Sequence, residues 1–307
     1  MPLLARRGFT LIELMIALVL LGIVSAGIYK VLVGNQRIYM AQTQQIDLQQ
    51  NLRAAATILP AEFRELDAAE DDITAMGPDS IRMRAMRQLA FVCATPVLGG
   101  GIGQITLMVR PVPIYGTRTT IAKDDSLLVY WEGNALSRND DQWLPAQVKQ
   151  VPVPGVCSDG SLAIALSLDP TWLNNPALNR VGAITDGSPV RGFDKLTYRV
   201  YQAGDGHWYL GQKNSSKSTA TIQPLIGPLI GSNGVTFSYF TAAGAVTTDR
   251  LQVGQIGIVV RAQTAAPVRG PTGSFANKVD SVVTLVTLRN NPRCGPGAPA
   301  GAPNPCP

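Results

Sequence analysis

The sequence predicts an α+β fold, a long N-terminal α-helix packed on a large antiparallel β-rich head. Three observations predict it. Residues 9–33 form an apolar run of 25 residues interrupted only by Thr10, Glu13, Ser25 and Lys30. No proline occurs in the 51 residues from Phe9 to Leu59, so nothing forces a break in a helix there. Beyond residue 80 the chain reads mostly as strands, several of which alternate cleanly, as at Leu196, Tyr198 and Val200 and at Val235, Phe237 and Tyr239. The 307-residue chain is 46% hydrophobic and 15% charged, which excludes disorder over most of its length. Only one segment is long and apolar enough to span a bilayer, which excludes a polytopic membrane protein.

Taken in order, residues 1–8 are a short basic leader carrying Arg6 and Arg7. The run 9–33 is about 37 Å long as a helix, enough to cross a membrane with some tilt. It admits three plain readings: a secretory signal peptide cut near Val24-Ser25-Ala26, a signal anchor oriented by the two arginines, and a buried core helix. The first two leave Glu13 unexplained, because a carboxylate inside an apolar span needs a partner or a purpose. The third does not suit a run that is apolar all round.

The string Arg7-Gly8-Phe9-Thr10-Leu11-Ile12-Glu13 accounts for that carboxylate. It resembles the cleavage and methylation signal of type IV prepilins: basic leader, glycine before the cut, phenylalanine after it, and glutamate four residues beyond. The resemblance implies removal of residues 1–8 by a prepilin peptidase cutting after Gly8, N-methylation of Phe9, and packing of the helix into a filament core. It further implies that Glu13 meets the terminal amine of a neighbouring subunit during assembly. The residue chemistry agrees. Glycine offers no side chain to obstruct a protease, and Glu13 lies one helical turn from the freed amine of Phe9. A negative charge is also favoured near a helix N-terminus.

Residues 34–66 are polar and glutamine-rich, with an apolar stripe at Leu48, Leu52, Ala55 and Leu59 that continues through Phe63 and Leu66 past Pro60. This is the pattern of a helix whose second half lies on a globular core. Residues 67–80 are acidic and end in the loop signal Gly77-Pro78-Asp79. Residues 67–289 form the head, with strands expected at 104–110, 126–132, 162–168, 195–202, 208–212, 234–240, 251–262 and 279–288. Turns are expected at Ala203-Gly204-Asp205-Gly206 and Thr241-Ala242-Ala243-Gly244. A Pro/Gly-rich tail occupies 290–307. The order of the strand motifs resembles PilW-type minor pilins and the J-type minor pseudopilins of type II secretion, especially Asp125 to Trp131, Gly234 to Phe240, Ile256 to Val260 and Thr287 to Asn290. The resemblance implies a pilin-like fold and a minor subunit of a type IV pilus, with a pseudopilin as the alternative. A membrane-anchored extracytoplasmic enzyme or binding protein is the remaining class.

The four cysteines, Cys93, Cys157, Cys294 and Cys306, contain no CxxC and allow three pairings. Sequence order and the isolation of the tail favour Cys93–Cys157 and Cys294–Cys306, in a head outside the cytoplasm where disulfides persist. With one histidine, His207, neither a zinc site nor His-based catalysis is expected, and no enzyme activity or cofactor is called for. Asp124-Asp125 and Asn139-Asp140-Asp141 lack the spacing of a calcium loop and read as polar turns. Gly99 to Gly103 reads as a loop rather than a dinucleotide fingerprint. The net charge of +5 falls to +3 without Arg6 and Arg7, and no basic stripe with interleaved aromatics runs along the chain, so no nucleic acid partner is expected although Lys213, Lys217 and Tyr209 lie close together. The expected partners are prepilin peptidase, other major and minor pilin subunits and the inner membrane, with the head in the periplasm.

Overall fold

The computed structural model describes residues 10–98, 104–133, 141–169, 181–216, 220–269 and 274–289. Helix α1, Leu11–Arg64, has 54 residues and is about 80 Å long. Its buried residues are Leu48, Leu52, Ala55, Leu59, Pro60 and Phe63, the stripe the sequence marks. The helix runs through Pro60 for one more turn. That proline leaves the Ala56 carbonyl without its helical N–H, but Leu59 and Phe63 on either side of it are fully buried, and their burial holds the last turn in place.

Sixteen strands follow: β1 (Ile73–Met76), β2 (Ser80–Leu98), β3 (Ile105–Val109), β4 (Tyr115–Gly116), β5 (Ser126–Trp131), β6 (Gln142–Val148), β7 (Val153–Val156), β8 (Leu162–Asp169), β9 (Pro189–Gln202), β10 (Trp208–Asn214), β11 (Gln223–Leu229), β12 (Val235–Phe240), β13 (Gln255–Gln263), β14 (Val268–Arg269), β15 (Phe275–Ala276) and β16 (Val279–Thr287). All but β14 and β15 join one sheet, and the pairings are antiparallel. The fold is therefore α+β with a pilin-like layout, a long N-terminal helix followed by a large antiparallel head.

The longest strands, β2 and β9, belong to two cores at once. Their outer halves (Ser80 with Arg199 through Met86 with Phe193) lie in an open sheet with β1, β10, β11, β13, β12 and β16. Ile81, Met83, Leu196 and Tyr198 on its inner face pack against Leu59, Phe63 and Leu66. Phe63 stands edge-on to Tyr198 at 5.7 Å and to Phe237 at 5.9 Å. A register shift between Met86 and Gln88 turns β2. Beyond it, β2, β3, β8, β6, β5 and β9 pair in a ring that closes back on β2. The ring encloses a second core that includes Val92, Leu107, Val129, Val148, Leu166 and Val190.

An ionic cluster marks the junction of the two cores. Arg87 Nη2 donates to both oxygens of Glu62 on α1, at 2.9 and 3.2 Å, and its Nε lies 3.5 Å from Asp194 of β9. Arg118 pairs with Asp125 at 3.0 Å. These side chains are only partly exposed, so the pairs are screened less than surface ones and fix α1 over the junction.

Three local differences from the sequence reading have physical causes. Strand β2, the longest, was not among the expected strands: Arg82, Arg84, Met86, Arg87 and Gln88 are all good helix formers, and tertiary burial of alternate residues overrides that preference. Strands β6 and β11 carry Pro145, Pro224 and Pro228, which demote a run on sequence grounds; the pairing of β6 with β8 involves only Gln147 and Val148, so Pro145 sits where that edge is open. The run expected at 251–262 begins instead at Gln255, because Asp249 caps a 3₁₀ turn over Arg250–Gln252 by accepting the Leu251 N–H at 3.0 Å. Both expected turns form, with the Gly206 N–H donating to Ala203 and the Gly244 N–H to Thr241, each at 3.0 Å.

The acidic loop after α1 is partly buried. Asp72 accepts the Asp67 N–H at 2.9 Å. Burial pushes the Asp72 carboxyl up to about 6; the Asp67 charge adds to the rise, while the donated N–H, Arg84 and Arg191 oppose it. Burial raises Asp67 and Glu70 as well. A carboxyl raised in the native state binds its proton more tightly there than in the unfolded chain. Stability therefore increases as pH falls from neutral through the raised value toward the ordinary carboxylate range. Asp72→Asn keeps an acceptor oxygen without a charge to bury. It is expected to stabilise the protein by roughly 1–2 kcal/mol at neutral pH and to flatten the rise on acidification, as urea unfolding across that range will show; a variant less stable at neutral pH would contradict the assignment.

Candidate functional site

The site is the start of α1. Thr10 is its N-cap, with extended backbone (φ −80°, ψ 151°). Its Oγ1 accepts the Glu13 N–H at 3.4 Å, while Glu13 Oε2 accepts the Thr10 N–H at 3.0 Å and the Thr10 hydroxyl at 2.9 Å. This is a reciprocal capping box, with a carboxylate at the positive end of the helix dipole. The sequence carried the signal in Thr-x-x-Glu, although Thr10 read there only as a polar interruption. Both bonds converge on Oε2, so among the described residues Oε1 takes no hydrogen bond and is open to a cation from outside.

From Leu11 through Leu32 no side chain is buried, and large residues such as Leu14, Leu18 and Ile28 are more than half exposed. The first buried residue is Leu48, about 55 Å along the axis from Leu11. The most apolar window has a mean hydropathy of 2.5 and is entirely unburied. Such a surface is stable only in lipid or against other apolar helices. Arg6, Arg7, Gly8 and Phe9 lie outside the described residues.

Cys93 in β2 and Cys157 after β7 form a disulfide, with Cα atoms 5.1 Å apart at a sequence separation of 64. Both are buried beside Ala163 and Met108. Closing a loop of that length is worth about 4 kcal/mol in the chain-entropy model. Cys294 and Cys306 lie outside the described residues, as do Asn139, Asp140, Gly99 to Gly103 and Lys217. Asp125 is engaged by Arg118, Gln88 and the Ala122 N–H, and Asp141 accepts the Tyr130 hydroxyl at 2.6 Å. Among the described residues no three His, Cys, Asp or Glu side chains converge as a metal site.

An unburied apolar helix with a capped glutamate at its start, leading into a docked half and a β-rich head, defines a prepilin-like protein. The family model described as the prokaryotic N-terminal methylation motif matches residues 3–29, so the chain carries the signal of type IV pilin-like and pseudopilin proteins. No curated protein and no solved structure matches the chain.

Proposed function

We propose that the chain is a minor subunit of a type IV pilus. Residues 9–33 anchor it in the inner membrane with its head in the periplasm. Prepilin peptidase cuts after Gly8 and the new terminus at Phe9 is N-methylated. The apolar half of α1 is then drawn from lipid into a bundle of pilin helices, while residues 34–66 hold the head. The role is structural rather than enzymatic, and its partners are the peptidase and other pilin subunits. The single observation that carries this reading is the methylation motif on a helix half that touches nothing else in its own chain.

Mass spectrometry of the protein from membranes is expected to show a mature N-terminus at methylated Phe9. A start at Gly27 would overturn the reading, and an intact Met1 would reduce the helix to a plain anchor. Gene deletion is expected to abolish piliation or twitching; loss of secreted enzymes with normal pili would assign the chain to a secretion pseudopilus instead.

A further inference from the structure

Strand alternation places Leu196, Tyr198, Ile81, Met83 and Leu210 toward α1. Their neighbours therefore point to the opposite, solvent face of the sheet. Arg82, Lys195, Arg199 and Lys213 stand there, all exposed. They come from three separate stretches of chain, and register brings them together. Thr197 pairs with Arg82 on one side and Lys213 on the other, while Lys195 and Arg199 flank it along β9. With strands ~4.8 Å apart and a rise of ~3.4 Å per residue, the four charges fall within a patch roughly 10 by 14 Å.

None of these four side chains makes an ion pair or hydrogen bond among the described residues. Three carboxylates in the loops around these strands are already engaged. Asp71 pairs with Arg84 and Arg250, Asp79 accepts the Ser80 hydroxyl, and Asp205 accepts the His207 N–H and the Tyr209 hydroxyl. Beside Arg199, Tyr201 and Tyr209 face each other across β9 and β10 at 6.3 Å with a 39° tilt. Each lies close over a glycine. A Cβ on Gly211 would come within 2.5 Å of the Tyr201 ring, and one on Gly227 within 2.5 Å of the Tyr209 ring. Ile222 packs over the same Gly211, and the two rings lie half-exposed beside the cations.

We infer that this face binds single-stranded nucleic acid, its phosphates on Arg82, Lys195, Arg199 and Lys213 and its bases against Tyr201 and Tyr209. Unpaired cations next to sequence-tolerant aromatic surfaces are the two elements such a ligand needs. The face points away from α1. The expectation of no nucleic acid partner rested on the absence of a basic stripe along the chain; the sheet assembles one across strands.

The test is fluorescence anisotropy of a labelled oligothymidylate with the full chain in detergent, alongside a duplex and a sulfated glycan. Four phosphate contacts give a slope of about −3 for log affinity against log salt, and Lys195→Gln with Arg199→Gln is expected to halve it. Tyr209→Leu is expected to weaken the single strand by roughly tenfold while leaving duplex binding unchanged. Unchanged thermal midpoints will show that the variants are folded. No binding at low salt, binding indifferent to these substitutions, or equal binding of the glycan with the same dependence would each overturn the inference. The assay needs no filament, so its failure leaves the pilin reading intact.

Discussion

Glu13→Ala is expected to be cleaved and methylated like the native chain but to fall by roughly tenfold or more in sheared filaments. In the proposed reading cleavage depends on the Gly8–Phe9 bond and its basic leader, which the substitution leaves untouched. Assembly as proposed is different, because it would carry a cationic terminus into an apolar helix bundle. Without a carboxylate nearby, that charge has no partner and no water. The capping box gives a second possible reason for a defect, since Glu13 also stabilises the first turn through Thr10. Glu13→Gln separates the two, as glutamine serves equally in a capping box but carries no charge. If charge pairing is the role, the glutamine variant assembles as poorly as the alanine variant. Normal incorporation of Glu13→Gln, measured by immunoblot of sheared filaments against the membrane pool, would leave capping as the only function of this residue.

Phe63→Ala is expected to cost about 3–5 kcal/mol. Phe63 is fully buried where the last turn of α1 meets the sheet, and it makes edge-on contacts to two aromatic rings. Truncation leaves a cavity between two rigid elements that cannot easily collapse around it. The loss should be confined to the core between helix and sheet. The ring core around Val129 is built from other residues, and Cys93–Cys157 ties β2 of that ring to the turn between β7 and β8. Urea unfolding in detergent is therefore expected to separate into two transitions in this variant, the first moved to lower urea. Leu18→Ala, in the unburied half of α1, is expected to leave both unchanged. A loss below about 1 kcal/mol for Phe63→Ala would mean that α1 is not held to the head by this contact.

The helix and its docking stripe could be read directly, because 3.6-residue periodicity is local and Leu48, Leu52, Ala55, Leu59 and Phe63 lie on one continuous segment. Glu13 was legible because a lone carboxylate in an apolar run demands an explanation. Strand β2 was not, since half its residues favour helix and its alternation slips at Met86–Gln88. Strand β11 was hidden by its prolines and Gly227. The Glu62–Arg87–Asp194 cluster joins residues 25 and more positions apart, and no spacing rule links them.

The linear sequence carries the sorting of this protein: an apolar span with a methylation signal, a helix half built to dock, and a β-rich head. Those properties follow from composition and local period, which the chain carries regardless of how it folds. That the head has two cores sharing β2 and β9, that Cys93 reaches Cys157, and that Arg82, Lys195, Arg199 and Lys213 share one face comes from the folded sheet. Each of these depends on strand register between distant segments. Register is set by burying alternate residues against α1 and inside the ring, a condition that exists only once the whole sheet has formed.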